Sequence, residues 1–352
     1  MAVCVFQASE ETEYTEVARI TGEGTGFDKV TYADIDGDGF REILIGWQMS
    51  AELKLLKVYS LPAYQPAAVL SANYSDFLVG DFTGDGIDDV GAVRMNPGAS
   101  GGEAELYTMT EDGEVVSSRA VLSTSAEALT RLRRTELLRG DKGFLTESVY
   151  ASGGVITDIF AWRNDALVNL SVSEDTGNSD ETARNYAVYA TDLNSDGIVE
   201  VPHPVPMTVQ SESTVYYRLD WTAYGVYGQA AQVMTTYHNY TDGWYLELDP
   251  SWDEFVTVRR ADSVTGERSV IFSVADEKGN VLYDYLVIYT LSGDNREERA
   301  ALAGRFELHT EGGTVYAAQL LASSPGYGAQ LTEQDVQDSF HIIYSDWETG
   351  EN

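Results

Sequence analysis

The chain has 352 residues, with 57 acidic against 22 basic side chains and a net charge of −35. So acidic a surface repels nucleic acid and anionic lipid, because no basic face is left to release counterions. A single cysteine rules out an intrachain disulfide, no apolar run approaches the about 20 residues of a spanning helix, and 32 Gly with 22 Tyr favour strands and tight turns.

Residues 2–20 read as strand, turn, strand: AVCVFQ, then ASEET, then EYTEVARI. Cys4 is expected to be a small buried apolar group. With no apolar leader ahead of it, the expectation is a removed secretion signal or a fragment. The next strands are predicted near 29–34, 42–48, 53–60 and 67–71.

A motif then recurs three times. It runs Asp34, Asp36, Asp38-Gly39-Phe40, Glu42; then Asp81, Thr83, Asp85-Gly86-Ile87, Asp89; then Asp192, Asn194, Asp196-Gly197-Ile198, Glu200. A hard cation takes six to eight oxygens, and positions 1, 3 and 5 supply side-chain oxygens when the backbone curls. Glycine at position 6 permits the curl. Position 7 offers a carbonyl and position 9 a carboxylate. An EF-hand would place a bidentate Glu at position 12, where this chain has Ile45, Ala92 and His203. The flanks, such as KVTYADI before and EILIGW after the first motif, are strand-like rather than helical. The reading is therefore about three structural Ca2+ sites in strand-to-strand loops. Asx-type turns that need no metal would use the same residue types.

Asp34 and Asp81 lie 47 residues apart, and Asp81 and Asp192 lie 111 apart, or two units of about 55. A degenerate unit without ligands is expected at 128–171, with its turn at Gly140-Asp141-Lys142-Gly143. Arg139-Gly140-Asp141, an adhesion-type tripeptide, falls on the same turn. Four strands per unit point to propeller blades.

The loops and their period resemble the FG-GAP/VCBS repeat proteins, over roughly residues 1–245. The likeness extends to secreted or lipid-anchored members from Gram-positive gut bacteria. It implies a β-propeller of four-stranded blades, with calcium between the first two strands of a blade. The expected fold is mainly β, with the propeller over 1–243 and an α+β domain over 244–352. In that second part, strands are predicted in the stretches at 244–260, 268–276, 283–293 and 304–323. One helix is expected from Asp294 to Ala303, stopped by Gly304, and another after Thr332 with Asp335 as its capping partner. An antiparallel sheet with helices on one face would follow. LDPSWDEFVTV, at 248–258, faintly resembles the opening of PsbP-like domains.

No catalytic motif stands out. His203, His238, His309 and His341 are scattered and read as surface or turn residues. No nucleophile elbow, P-loop or dinucleotide fingerprint occurs. The aromatic stretch Tyr216–Tyr245 is either core or a binding platform. The expectation is a non-enzymatic binding, adhesion or scaffold module at a bacterial cell surface, with carbohydrate or a surface protein as partner. The alternative is a propeller-based polysaccharide lyase or glycoside hydrolase, and a third possibility is a plain spacer. Setting the ten loop acids aside leaves 47 acidic against 22 basic residues, so solubility outside the cell is expected to account for the rest of the charge.

Overall fold

A computed structural model describes residues 1–10, 13–22, 24–110, 112–150, 153–185, 188–207, 215–248, 256–262, 264–321 and 331–344. Among the described residues strand takes 59% and helix 6%, which makes the fold mainly β. Two compact units emerge. The first comprises Met1–Val201 with Ala223–Ala230, and the second Pro202–Thr222 with Ala231–Trp347. The expected boundary at 243/244 falls in the turn between two paired strands of the second unit.

The first unit opens with the hairpin β1 (Ala2–Glu10) and β2 (Glu13–Thr21). Three four-stranded antiparallel sheets follow, each a meander in chain order. They are β3 (Gly26–Ala33) to β6 (Ala67–Tyr74) by way of β4 (Glu42–Gln48) and β5 (Lys54–Ser60); β7 (Asp76–Gly80) to β10 (Val115–Val121) by way of β8 (Asp89–Met95) and β9 (Gly102–Met109); and β11 (Ala128–Glu136) to β14 (Ala166–Asn169) by way of β12 (Lys142–Tyr150) and β13 (Gly154–Arg163). The third sheet occupies the stretch, 128–171, in which a degenerate unit is expected, with the tripeptide on its β11–β12 turn. Every sheet is open; among the described residues none closes on itself.

The sheets stack because their middle strands are apolar on both faces. Successive side chains of a strand point to opposite sides. Ile43, Ile45 and Trp47 of β4 thus pack with Ile20 of the hairpin, while Leu44 packs with Phe77, Val90 and Ala92 of the second sheet. Leu78 and Leu106 of the second sheet meet Phe144 and Phe160 of the third, whose Leu145, Ile159 and Ala161 turn the other way, toward Ala190, Val201 and Val226. β4 is accordingly buried along six of its seven residues. Strands buried on both faces need near-continuous apolar runs, as EILIGWQ provides. Cys4 is only half-buried on β1.

The second unit differs from the single helix-backed sheet expected for the C-terminal part. It has two five-stranded sheets. One runs β15 (Val201–Met207), β16 (Tyr216–Tyr224), β17 (Ala230–Asn239), β18 (Trp244–Glu247) and then β24 (Phe340–Ile342). The other runs β19 (Val256–Arg260), β20 (Glu267–Ala275), β21 (Val281–Ser292), β23 (Thr314–Leu320), β22 (Arg305–Glu311). Tyr237, Trp244 and Leu246 from the first and Phe272, Leu286 and Ile288 from the second share one core. Tyr237 of β17, like Met207 of β15, belongs to that core, which is why the unit begins before residue 244.

Both predicted helices form. α1 (Arg296–Ala300) lies against β21, β22 and β23. α2 (Glu333–Ser339) carries a capping box: Thr332 Oγ1 accepts from Asp335 N at 3.2 Å, and Asp335 Oδ2 accepts from Thr332 N at 2.8 Å. No helix among the described residues is long and apolar enough to cross a membrane. Residues 249–255, which carry most of the PsbP-like stretch, lie outside the described residues.

Candidate metal centre

All three acidic loops lie in the first unit and share one backbone trace. The residue before position 1 pairs with position 9 in each: Ala33 with Glu42, Gly80 with Asp89, Thr191 with Glu200. Eight residues therefore have to turn back within one strand spacing. They manage it with left-handed backbone at positions 4 and 6, where φ is 71° and 86° at Gly37 and Gly39, 81° and 87° at Gly84 and Gly86, and 63° and 90° at Ser195 and Gly197. The sequence marked position 6. Position 4 was missed because the third loop uses a serine there.

Side-chain oxygens then pin the curl. Asp34 accepts from Gly37 N at 2.8 Å and Gly39 N at 3.0 Å. Asp81 accepts from Gly84 N at 2.7 Å and Gly86 N at 3.0 Å, and Asp192 from Asp196 N at 3.1 Å and Gly197 N at 3.0 Å. The position-5 carboxylate accepts from the position-7 amide: Asp38 from Phe40 at 2.7 Å, Asp85 from Ile87 at 2.9 Å, Asp196 from Ile198 at 2.8 Å. The position-9 acid, buried in every loop, reaches back to the position-2 amide: Glu42 to Ile35 at 3.1 Å, Asp89 to Phe82 at 2.8 Å, Glu200 to Leu193 at 2.9 Å.

The trace brings carboxylates together in two loops. Asp34, Asp36 and Glu42 have oxygens within 4.8 Å of one another, as do Asp192, Asp196 and Glu200. Asp38 and Phe40 stay exposed outside the first trio. Asn194 is engaged with Asp196, its Oδ1 accepting from Asp196 N at 3.0 Å and its Nδ2 donating to Asp196 Oδ2 at 3.0 Å. Among the described residues the second loop gathers no such trio. Its position 9 is the shorter aspartate, which bonds both Phe82 N and Thr83 N.

Burial makes these position-9 carboxylates uncomfortable as bare anions. It pushes Glu200 up to about 7, with Asp196 and Asp192 adding repulsion, and Asp89 up to about 6. Glu42 shifts the same way, from burial first and then from Asp36 and Asp38. Glu200 is 1% exposed, and its Oε1 has no hydrogen-bond partner. A buried, unpaired carboxylate oxygen facing two further carboxylates fits a hard cation. The donors are oxygens without sulfur or imidazole, which matches calcium or magnesium rather than a softer metal.

Sequence reasoning missed that Asp88 bonds across to the first loop. It predicts a third sheet without an acidic loop but places the turn at 140–143, whereas the turn is the five residues 137–141 and Lys142 and Gly143 already belong to β12. There Lys142 takes the register place of the position-9 acid, opposite Glu136, and its ammonium pairs with the Glu136 carboxylate.

Other candidates sort differently. His238, expected at the surface, is buried and stacked on Tyr245 at 5.0 Å. Tyr245 stacks in turn on His341 at 4.7 Å, and His341 Nε2 lies 2.6 Å from Glu247. His203 and His309 are half-buried. Trp221, Tyr237 and Trp244 are core, while Tyr217 and Tyr227 are exposed. A cavity of about 570 Å³ in the first unit is lined by Asp28, Lys29, Lys54, Asp76 and Glu127 among others, with no aromatic ring. Its lysines pair with Asp28 at 2.8 Å and Asp76 at 3.5 Å. No model of a known protein family matches this chain, and no curated protein sequence matches it.

Proposed function

We propose that this chain is a calcium-binding repeat protein of the FG-GAP/VCBS kind, whose meander sheets are propeller blades. It would serve as a non-enzymatic binding, adhesion or scaffold module at a cell surface, with a carbohydrate or a surface protein as its partner. The carrying observation is the recurrence of one hydrogen-bonded loop trace at one register in three places. Stacked four-stranded meanders that share apolar cores support the blade reading.

Asp34, Asp36 and Glu42 would hold the first ion, with Asp38 and the Phe40 carbonyl nearby. Asp192, Asp196 and Glu200 would hold the third, helped by Asn194 and Ile198. The second set is Asp81, Thr83, Asp85, Ile87 and Asp89. Calcium would supply the positive charge that lets these acids sit together, tying one strand to the next. Extracellular calcium modules bind at about 10⁻⁴–10⁻³ M, which suits a location where calcium is millimolar. Ligand binding to the folded state alone adds about 2.7 kcal/mol per site at a hundredfold excess over Kd.

The test is calcium titration by isothermal calorimetry, with thermal melting in calcium and in chelator. Uptake of two to three ions with a raised melting temperature is expected. No uptake and coincident melting curves would refute the reading. In this cavity the hydrolase or lyase alternative would rest on Asp28, Asp76 and Glu127, with no ring among the lining residues for a sugar to stack on. A glycan array separates a binding module from a spacer, since a spacer gives no signal.

A further inference from the structure

Asp88 stands between two ligand positions of the second loop, Ile87 and Asp89, yet its contacts reach the first. Its Oδ2 accepts from Asp34 N at 3.3 Å, and its own N–H donates to Asp34 O at 3.0 Å. Ile87 lies over Gly37, where an added Cβ would come within 2.9 Å of Ile87 Cδ1. Residues 87–88 thus grip residues 34–37, the part of the first loop whose first member is the position-1 carboxylate.

The third loop has a different neighbour. Gly197 O accepts from Glu136 N at 3.0 Å, and Val199 N donates to Thr135 Oγ1 at 2.8 Å. Those contacts lead to the turn in which Lys142 pairs with Glu136, where no acidic loop exists. That the third loop itself accepts an ion is argued independently by the partnerless, buried Glu200 Oε1.

We propose that Asp88 is a positioning residue that couples the first two cation sites, so that occupying one raises the affinity of the other, while the third binds on its own. The inference rests on the calcium reading of the loops. Carboxylates crowded without a cation repel, which loosens their loop. A bound ion orders it, and an ordered second loop holds Asp88 where it fixes the Asp34 peptide. The first site then meets less of the ordering cost when its own ion arrives.

The test uses calcium alone, measured by calorimetry in an Asp196→Ala background that removes the third site. Disabling the second site with Asp85→Ala should weaken the first about fivefold or more, the lower bound of ordinary coupling. Reciprocity requires Asp36→Ala to weaken the second site by the same factor. Asp88→Ala should abolish the linkage while both sites still bind, and Asp88→Asn, whose carbonyl still accepts from Asp34 N, should restore it. An unchanged first site in Asp85→Ala, or full linkage in Asp88→Ala, overturns the proposal while leaving calcium binding intact. If the wild-type chain takes up no calcium at all, the calcium reading falls and this proposal falls with it.

Discussion

Arg184 Nη2 lies 2.6 Å from Glu147 Oε1, and both side chains are sealed from water. The same oxygen accepts from Ala190 N at 2.7 Å, and Arg184 donates to Val188 O at 2.5 Å and Thr182 O at 2.8 Å. The pair therefore pins the segment leading into the third acidic loop onto the third sheet. Removing one partner of a buried pair strands the other charge, at a cost of about 3–5 kcal/mol. Glu147→Ala, which also strands the buried Arg131, 3.7 Å from the other carboxylate oxygen, should lose at least that much in urea unfolding, whereas the triple variant Glu147→Leu with Arg184→Met and Arg131→Met should lose less. Equal losses would mean that the attraction itself, rather than the stranded charge, sets the cost.

The loops should differ in affinity. By carboxylate count the first has four and the second three, and only the first and third gather a trio. Charge count tunes calcium affinity. Asp36→Asn, which keeps an oxygen for Asp38 N, should therefore remove more of the calcium-induced rise in melting temperature than Asp85→Asn does. Identical reductions would contradict the ranking.

Ser195 adopts the left-handed conformation that glycine holds at the matching place in the other two loops. For a residue with a Cβ that costs about 1–2 kcal/mol, partly offset by glycine's greater freedom when unfolded. Ser195→Gly should stabilise by about 0.5–1 kcal/mol. Gly86→Ala should destabilise by about 1–2 kcal/mol. Nothing lies within 4 Å of the added Cβ there, so that loss is purely conformational and must persist in chelator. A Gly86→Ala loss seen only with calcium present would contradict this.

Burial holds the His238 imidazole well below its ordinary pKa. The folded chain keeps it neutral, while the unfolded chain takes up a proton near pH 6.5. Its contribution is thus complete above pH 6.5 and declines as pH falls, by at most about 1.4 kcal/mol per pH unit. His238→Phe should flatten the curve of stability against pH between 6.5 and 5. Parallel curves for the two proteins would show that His238 does not titrate on unfolding.

Local chemistry was legible wherever a short pattern dictates structure. The acidic loops, the β3–β6 strands and the Thr332 cap each follow from residues within a dozen positions, and the spacing alone located the sheet at 128–171. Contacts over long separations were not. β18 pairs with β24, joining Glu247 to His341 across 94 residues, and no local signal announces it. Glu147 and Arg184 were invisible as core because charged residues are rarely buried unless paired, and their partners lie 37 residues apart. Within the site, the trio Asp34, Asp36 and Glu42 follows from spacing, but the link from Asp88 to Asp34 depends on how neighbouring sheets stack.

Lys142 travels with the polypeptide; a divalent ion must be met in solution. The corner between β11 and β12 can therefore close as soon as its strands are made, whatever the medium contains. In a freshly synthesised chain still short of calcium, this sheet would be the one ready to template its neighbours, the second sheet on one face and the segment carrying the third acidic loop on the other.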